Sequence, residues 1–416
     1  SLPIASIGIG VGIDYGIYLL SRICEEFRDS EHHGQAIEAA VTTTGKAIFF
    51  TATIVLIGIL PWYFMSELKF LAEMGLLLVM IMLINMVIAL IVLILPGTEA
   101  IAPLIRGSRR SLQIGLSGQP SEFAKIATIL MLARVLSQRK EPLTSLRDLL
   151  LPSVLVGLPL ALIMLQPDLG TALAFGGILF AILFWAGTPV ALLLLVASPG
   201  VGLVLSFDTR IWSAYIVGVV AFLYLYRYRL FLFESVAVVL ANVAAGTISR
   251  PLWESLKPYQ QNRILVFLDP EVDARGAGYQ VIQSKVAVGS GGLTGQGFTL
   301  GPQKRYDFLP EQHTDFIFSV VGEELGFLGT MAAILGFAFI LTRLVRMAEE
   351  SPDPFAGLVL LGILGAWLVH IFVNVGMTVG VVPITGIPLP FVSYGGTFLL
   401  MSWVAVAIAV RVAHER

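Results

Sequence analysis

The chain has 416 residues, of which 56% are hydrophobic and only 13% are charged, and its formal net charge is −2. A soluble protein carries about 25% charged residues, so this composition excludes an ordinary soluble domain. Near-neutral charge without a basic block argues against nucleic acid as a partner. One cysteine, Cys24, excludes an internal disulfide and a cysteine-based metal cluster. The five histidines form no H-x-x-x-H pair, so we predict no metal site.

Long apolar runs predict helices that cross a membrane. Runs of about 20 apolar residues match a bilayer core of about 30 Å. Only helices or closed barrels satisfy the backbone there, and these runs lack the alternation of barrel strands. We therefore predict an all-α, polytopic integral membrane protein. It has about twelve transmembrane helices, at residues 2–21, 43–62, 70–96, 121–136, 149–166, 169–187, 189–206, 211–226, 229–248, 316–342, 356–380 and 391–410.

The polar segment 249–315 is too long to be a simple connector, and loops of this length are usually functional or disordered. It combines acidic, basic, aromatic and glycine residues, which favours an ordered site. Lys and Arg concentrate in loop 137–148 and near three later span ends, which places those ends in the cytoplasm. The same count places 249–315 and 381–396 outside, in a multi-pass membrane protein.

The charge pattern is inconsistent near the start of the chain. Arg22 and Arg28 place loop 22–42 inside, which makes 98–120 cytoplasmic, whereas the downstream count needs 98–120 outside. We interpret 98–120 as a junction between two pieces of different origin. The chain begins at Ser1, directly in a hydrophobic segment, which indicates a fragment or a processed start.

The larger piece, from about residue 106 and mainly 121–416, resembles the SEDS family (shape, elongation, division and sporulation), with its RodA and FtsW types. The resemblance rests on separated motifs in a fixed order. They are Gln119–Glu122 with Lys125, Gln166–Ala172, Tyr259–Arg263, Asp273–Gln280, Gln283–Lys285, Phe308–Glu311, His313–Phe316, Gly322–Gly326, Pro383–Pro390 and Ser393–Gly396.

This resemblance implies a peptidoglycan glycosyltransferase. Such an enzyme polymerises lipid II, releases undecaprenyl pyrophosphate, and works with a class B penicillin-binding protein in cell elongation and shape maintenance. The essential acid of the family corresponds to Asp273. The family usually has proline at the next position, where this chain has Ala274, so we expect a looser loop. No cofactor is implied, and the sequence does not reveal whether a divalent cation assists.

The residues of the polar segment suit the same chemistry. Glycosyl transfer with inversion needs a carboxylate that takes a proton from the attacking hydroxyl, and positive charge stabilises the departing pyrophosphate. Asp273 precedes Gly276 and Gly278, which permit close backbone approach; Asp269 is the alternative carboxylate. The candidate pyrophosphate or sugar contacts are Arg263, Lys285, Lys304 and Arg305, each of which could equally be a solvated loop charge.

Other motif residues take supporting roles. Glu122 and Lys125 lie three residues apart on one helix and can face each other, either as a structural ion pair or as part of the substrate cavity; in the family this pair matters for activity. His313 joins the predicted substrate contacts, and Ser393 and Tyr394 join the supporting residues. Four further polar residues are interpreted as structural hydrogen-bonding groups: Asp168, Glu323, Glu324 and His370. The glycine-rich run 289–297 fits no nucleotide motif and is predicted to be a flexible loop.

Residues 1–97 resemble the last three spans of an exporter of the RND superfamily (resistance, nodulation and division), of the MMPL-like type. The similarity lies in Gly10–Gly16, Ser21–Arg22, Thr42–Lys46 and Phe70–Gly75. In that family an intramembrane acid, here Asp14, relays protons. This resemblance adds one alternative function, a proton-coupled exporter fragment. Two others are a lipid-precursor flippase and an inactive scaffold that binds a penicillin-binding protein. If the two pieces form a chimera, the activity belongs to the parent of the second piece.

Overall fold

The computed structural model describes residues 112–114, 116–139, 141, 143–166, 168–225, 232–273, 276–306 and 308–414. The exporter-like segment 1–97, with its three predicted spans, lies outside the described residues, as does most of the 98–120 junction. Those interpretations stay predictions.

The described residues are helical except for loops and one short hairpin. Its strands, β1 (Leu112–Ile114) and β2 (Leu116–Gly118), pair antiparallel. The α-helices are α1 (Pro120–Ser137), α2 (Leu146–Leu165), α3 (Leu169–Trp185), α4 (Val190–Leu205), α5 (Thr209–Leu225), α6 (Leu232–Ser255), α7 (Pro258–Leu268), α8 (Ala277–Ser290), α9 (Pro302–Arg305), α10 (Ile317–Glu349), α11 (Pro354–Val379) and α12 (Gly396–His414). A 3₁₀ helix, η1 (Pro270–Asp273), connects α7 to α8.

Each span predicted after residue 120 coincides with a helix, so the helical fold class is confirmed in outline. Five helices (α2, α6, α10, α11 and α12) are long and apolar enough to cross a membrane, and α3, α4 and α5 are shorter apolar helices. Three boundaries differ by five or more residues: α6 continues to Ser255, inside the predicted loop, α10 continues to Glu349, and α12 begins at Gly396. Residues 391–395, which were predicted to start the last span, form turns and loop. The prediction of an all-α chain also missed the hairpin.

Local sequence explains where several helices begin and end. Ser145 and Asp148 form a capping box that starts α2. The Asp168 side chain accepts a hydrogen bond from the Thr171 N–H and starts α3. Helix α11 begins at Pro354 and ends before Gly380, whose φ of 78° is the left-handed conformation that glycine adopts without strain. These signals hold the helix ends independently of tertiary packing.

Helix α11 lies at the centre of the main core. Within its apolar window 72% of the residues are buried, compared with 11% for α10. The side chains around it include Phe175, Ile178 and Ile182 of α3, each fully buried. By contrast, large apolar side chains such as Leu335 and Phe339 of α10 remain exposed. An apolar surface of this kind suits a lipid environment, so α11 forms the interior and α10 the periphery.

Helix α10 is broken at Gly326, which has φ 65° and ψ −161°. The break is closed by the glycine-rich run, because Phe327 N donates to Gly292 O at 2.8 Å and Gln296 N donates to Glu323 O at 2.9 Å. A Cβ atom on Gly295 would lie 2.6 Å from Leu325 N, so a side chain does not fit there. The prediction of a flexible loop at 289–297 is therefore wrong: the run satisfies backbone groups that the broken helix would otherwise leave unpaired.

Two glycines permit a close crossing of α3 and α11. A Cβ on Gly177 would lie 2.7 Å from Gly365 O, and a Cβ on Gly365 would lie 2.5 Å from Gly177 O. Small residues at a helix crossing let the two backbones approach, which is how membrane helices gain packing energy. The neighbouring Gly176 meets no atom within 4 Å.

We expect Gly177→Ala to destabilise the protein and Gly176→Ala to leave it unchanged or slightly more stable. Both changes raise helix propensity equally, but only the first inserts a methyl group into a packed crossing, at a cost of about 1–3 kcal/mol. Thermal unfolding of both variants in the same detergent measures the difference. Equal melting temperatures would show that the crossing is not tightly packed.

Candidate active site

Asp273 is the last residue of η1 and lies immediately before α8. It is half-buried, and its backbone oxygen accepts a hydrogen bond from Gly276 N at 3.0 Å. A Cβ on Gly276 would lie 2.6 Å from Asp273 Oδ1, and one on Gly278 would lie 2.7 Å from Asp273 O. The prediction of close approach at these glycines is confirmed. Ala274 lies outside the described residues, so the expected looseness there stays a prediction.

Helix α8 fixes the position of Asp273 against the core. The Ser284 hydroxyl lies 2.7 Å from the Ser319 hydroxyl of α10 and donates to the Thr378 carbonyl of α11 at 2.7 Å. Ser284 is fully buried, as is Ala287 one turn later. The opposite face includes Val286, which is exposed. The carboxylate is therefore attached to a helix that is held by two membrane helices.

The predicted cationic contacts lie on three different helices. Arg263 is half-buried on α7, and Lys285 is exposed on α8. A Cβ on Gly380 would lie 2.7 Å from Lys285 Nζ, so glycine at this turn makes room for the lysine. Arg305 is exposed on α9.

Lys304 on α9 has a specific protein partner. Its Nζ lies 2.8 Å from Glu324 Oε1, and Glu324 is buried. The fully buried Glu323 accepts hydrogen bonds from Gln303 N at 2.8 Å and Lys304 N at 3.3 Å. Both glutamates are hydrogen-bonded, as the structural interpretation predicts. A pyrophosphate would have to compete with Glu324 for the Lys304 ammonium.

Residues 313–316 and 386–394 form one hydrogen-bonded unit. The Ser393 hydroxyl donates to Thr314 O at 2.6 Å and accepts from Leu389 N at 2.7 Å. Tyr394 N donates to His313 O at 2.8 Å, while both of those side chains are exposed. Two motifs that are about 80 residues apart in sequence are therefore joined (Thr314 and Ser393 are separated by 79 positions).

Asn374 of α11, which the sequence analysis did not single out, binds both segments of this unit, 313–316 and 386–394. Its Nδ2 donates to Asp315 O at 2.9 Å and to Ile387 O at 2.8 Å, and the residue is fully buried. The available signal was a buried polar residue in an apolar span, four positions after His370.

Glu122 and Lys125 face each other on α1, as predicted. The distance from Lys125 Nζ to Glu122 Oε2 is 2.7 Å, and the side chains of Lys125 and Glu122 are 6% and 5% exposed. His370 and Asp168 are both hydrogen-bonded, as was also predicted. Asp168 accepts from the Thr171 hydroxyl at 3.0 Å, and His370 lies beside Lys125. Among the residues that the structure describes, no group of three or more His, Cys, Asp or Glu is placed to hold a metal ion.

Comparisons with known proteins connect this geometry to a family. The family described as cell cycle protein, FtsW/RodA/SpoVE, matches residues 34–235 and 207–416. The peptidoglycan glycosyltransferase RodA of Treponema pallidum is 36% identical over 361 residues, covering 79% of this chain and 82% of that protein. The peptidoglycan glycosyltransferase MrdB of Escherichia coli K12 is 34% identical over 327 residues, covering 78% and 76%.

Solved structures show the same fold. One, from work on the structural coordination of polymerization and crosslinking by a peptidoglycan synthase complex, aligns with a TM-score of 0.59 and 27% identity over 97% of each chain. The rod shape determining protein RodA of Thermus thermophilus aligns with a TM-score of 0.51 and 22% identity, covering 97% of this chain and 96% of that one. The chain is an integral membrane protein, and it belongs to the FtsW/RodA/SpoVE family of cell cycle proteins.

Proposed function

We propose that this chain is a peptidoglycan glycosyltransferase that polymerises lipid II, with Asp273 as the general base. The enzyme class follows from curated relatives that carry this name and are at least 34% identical to the chain. The observation that carries the catalytic assignment is the half-buried carboxylate of Asp273, which is packed against Gly276 at the start of the anchored helix α8.

The proposed reaction is a displacement at the anomeric carbon of the donor sugar. Asp273 takes the proton from an acceptor hydroxyl, the oxygen attacks the anomeric carbon, and the bond to the lipid pyrophosphate breaks. Nearby cations stabilise the charge on the leaving pyrophosphate. The candidates are Arg263, Lys285 and Arg305, with Lys304 available only when its pair with Glu324 opens.

The fold suits a lipid-linked substrate. We propose about twelve spans in all, with the segment 249–315 on the outer face of the bacterial inner membrane. Arg139, on the opposite side by this proposal, pairs with Asp148 at 2.7 Å where α1 connects to α2. We also propose a class B penicillin-binding protein as partner, by analogy with the synthase complex that couples polymerization to crosslinking.

We expect Asp273→Asn to lower lipid II polymerisation by at least about 100-fold, because the amide does not accept the proton. Asp269→Asn is the matched control: it lies four residues earlier, and its Oδ1 accepts a local bond from Glu271 N at 3.0 Å. Gel analysis of glycan strands made from labelled lipid II measures both. Normal polymerisation by the Asp273 variant would exclude the general-base role of Asp273.

We expect Gly276→Ala to reduce the rate between about 10- and 100-fold, because a methyl group would displace the Asp273 carboxylate from its reactive position. Gly289→Ala on the adjacent helix is the control, since no atom lies within 4 Å of a Cβ there. Turnover is compared at equal amounts of folded protein. If both variants retain full activity, the carboxylate is not held by this contact.

The orientation is testable with single cysteines in a Cys24→Ser background. Thr294→Cys is exposed on the segment that we place outside, and Gln138→Cys is exposed between α1 and α2. A membrane-impermeant maleimide added to intact spheroplasts should label the first and not the second. The reverse labelling pattern would place Asp273 on the cytoplasmic side, which contradicts its proposed access to substrate on the outer face.

A further inference from the structure

Polar groups from three parts of the chain meet at His370 of α11. The residue is 2% exposed, and its Nε2 lies 2.9 Å from Lys125 Nζ. Its Nδ1 lies 2.9 Å from the carbonyl oxygen of Pro388. Since Lys125 also binds Glu122, the imidazole connects a buried ion pair on α1 to segment 386–394, which follows α11.

The two partners fix the tautomer of this imidazole. A carbonyl oxygen only accepts, so Nδ1 carries a hydrogen and donates to Pro388. An ammonium group only donates, so Nε2 accepts from Lys125. An imidazolium would instead place a second positive charge 2.9 Å from the Lys125 ammonium, which is unfavourable. The geometry therefore requires a neutral ring with hydrogen on Nδ1.

Helix α12 closes the cluster with an aromatic ring. Phe398 stacks on His370, with centroids 4.8 Å apart and planes inclined by 26°. Lys125 Nζ lies 5.3 Å from the centroid of the same ring, within the range of a cation–π contact. The ammonium is thus held by a carboxylate, an imidazole and an aromatic face. A cavity of about 30 Å³ beside them has room for about one water molecule.

Pro388 belongs to segment 386–394, which is hydrogen-bonded to segment 313–316; we call these two the motif segments. The preceding carbonyl, of Ile387, accepts from Asn374, which also holds residues 313–316. Ser393 binds the same residues from the other end of the segment. A shift of the Pro388 carbonyl would therefore be transmitted to both motifs.

We propose that His370 is a positioning residue for the polymerisation reaction. It holds the Lys125–Glu122 pair and the Pro388 segment in one arrangement, without touching the reacting sugars. This inference rests on the proposed function. This role differs from simple packing, because it depends on the Nδ1 donor and the Nε2 acceptor of the His370 ring.

Two substitutions separate these roles. His370→Phe keeps a ring against Phe398 but removes both hydrogen bonds, and we expect turnover to fall at least about tenfold, because a bond to a charged group is lost. His370→Gln keeps an acceptor and a donor on one planar group, and should restore most of the turnover. The KM for lipid II should change little in either variant.

Asn242→Leu is the matched control for buried polar loss. Asn242 is fully buried and donates to the Ser198 hydroxyl at 2.7 Å and to Val238 O at 2.9 Å, within the α4–α6 group of helices. Its loss should lower the melting temperature while leaving turnover near normal. If turnover falls equally in this control and in His370→Phe, the loss reflects general destabilisation, and the positioning role of His370 is overturned.

A second readout does not depend on activity. Nitrogen-15 NMR of histidine-labelled protein should show one neutral ring with hydrogen on Nδ1, which disappears in His370→Gln. Lys125→Met should shift the Nε2 resonance of that ring, because its donor is removed. If the ring whose signal is lost in His370→Gln is an imidazolium, or carries hydrogen only on Nε2, the proposal is overturned.

The kinetic outcomes also decide. Unchanged turnover in His370→Phe, or equal losses in the Phe and Gln variants, would overturn the positioning role while the proposed function stands. Wild-type protein that binds lipid II but never polymerises it would instead overturn the proposed function and, with it, the reaction that His370 is proposed to serve. The NMR result would still decide whether the hydrogen-bond arrangement exists.

Discussion

Polar side chains buried in a membrane helix must find hydrogen-bond partners within the protein, and α11 carries three of them at four-residue spacing. His370, Asn374 and Thr378 are each at most 2% exposed and share one face of the helix. His370 binds Lys125 of the α1 ion pair and the Pro388 carbonyl after α11, and Asn374 binds both motif segments. The backbone carbonyl of Thr378 accepts a hydrogen bond from the Ser284 hydroxyl on α8. One buried helix therefore holds α1, α8 and both motif segments of the candidate site, whereas α9 is held by α10.

Glycines supply the close contacts that this arrangement needs. At the crossing of α3 and α11, Gly177 and Gly365 let the central helix approach its neighbour. At the break in α10, Gly326 adopts a left-handed φ of 65°, and the glycine-rich run satisfies the exposed backbone there. At the site itself, Gly276 leaves room for the Asp273 carboxylate. In each place a methyl group would separate two elements whose contact the fold requires.

The charges of the site differ in how firmly the protein holds them. The Glu122–Lys125 pair is almost completely buried, where removing one partner would leave an uncompensated charge. Lys304 is partly exposed and pairs with the buried Glu324, so it is available to an anion only by exchange. Lys285 and Arg305 are exposed on α8 and α9. The buried pairs therefore suit structural support, and the exposed cations suit contact with a phosphate that arrives and leaves.

Sequence alone determined the helical membrane class, the approximate positions of the apolar helices after residue 120, the family motifs and the facing of Glu122 and Lys125. These follow from composition, apolar run length and helical spacing, which are local properties. Tertiary structure decided the rest: the break at Gly326 closed by a distant glycine run, the Ser393 bond to residue 314, and the role of Asn374. It also gave His370 its two partners, 245 positions before it and 18 after. Such contacts join residues far apart in the chain, and only the packing of helices around α11 brings them within hydrogen-bond distance.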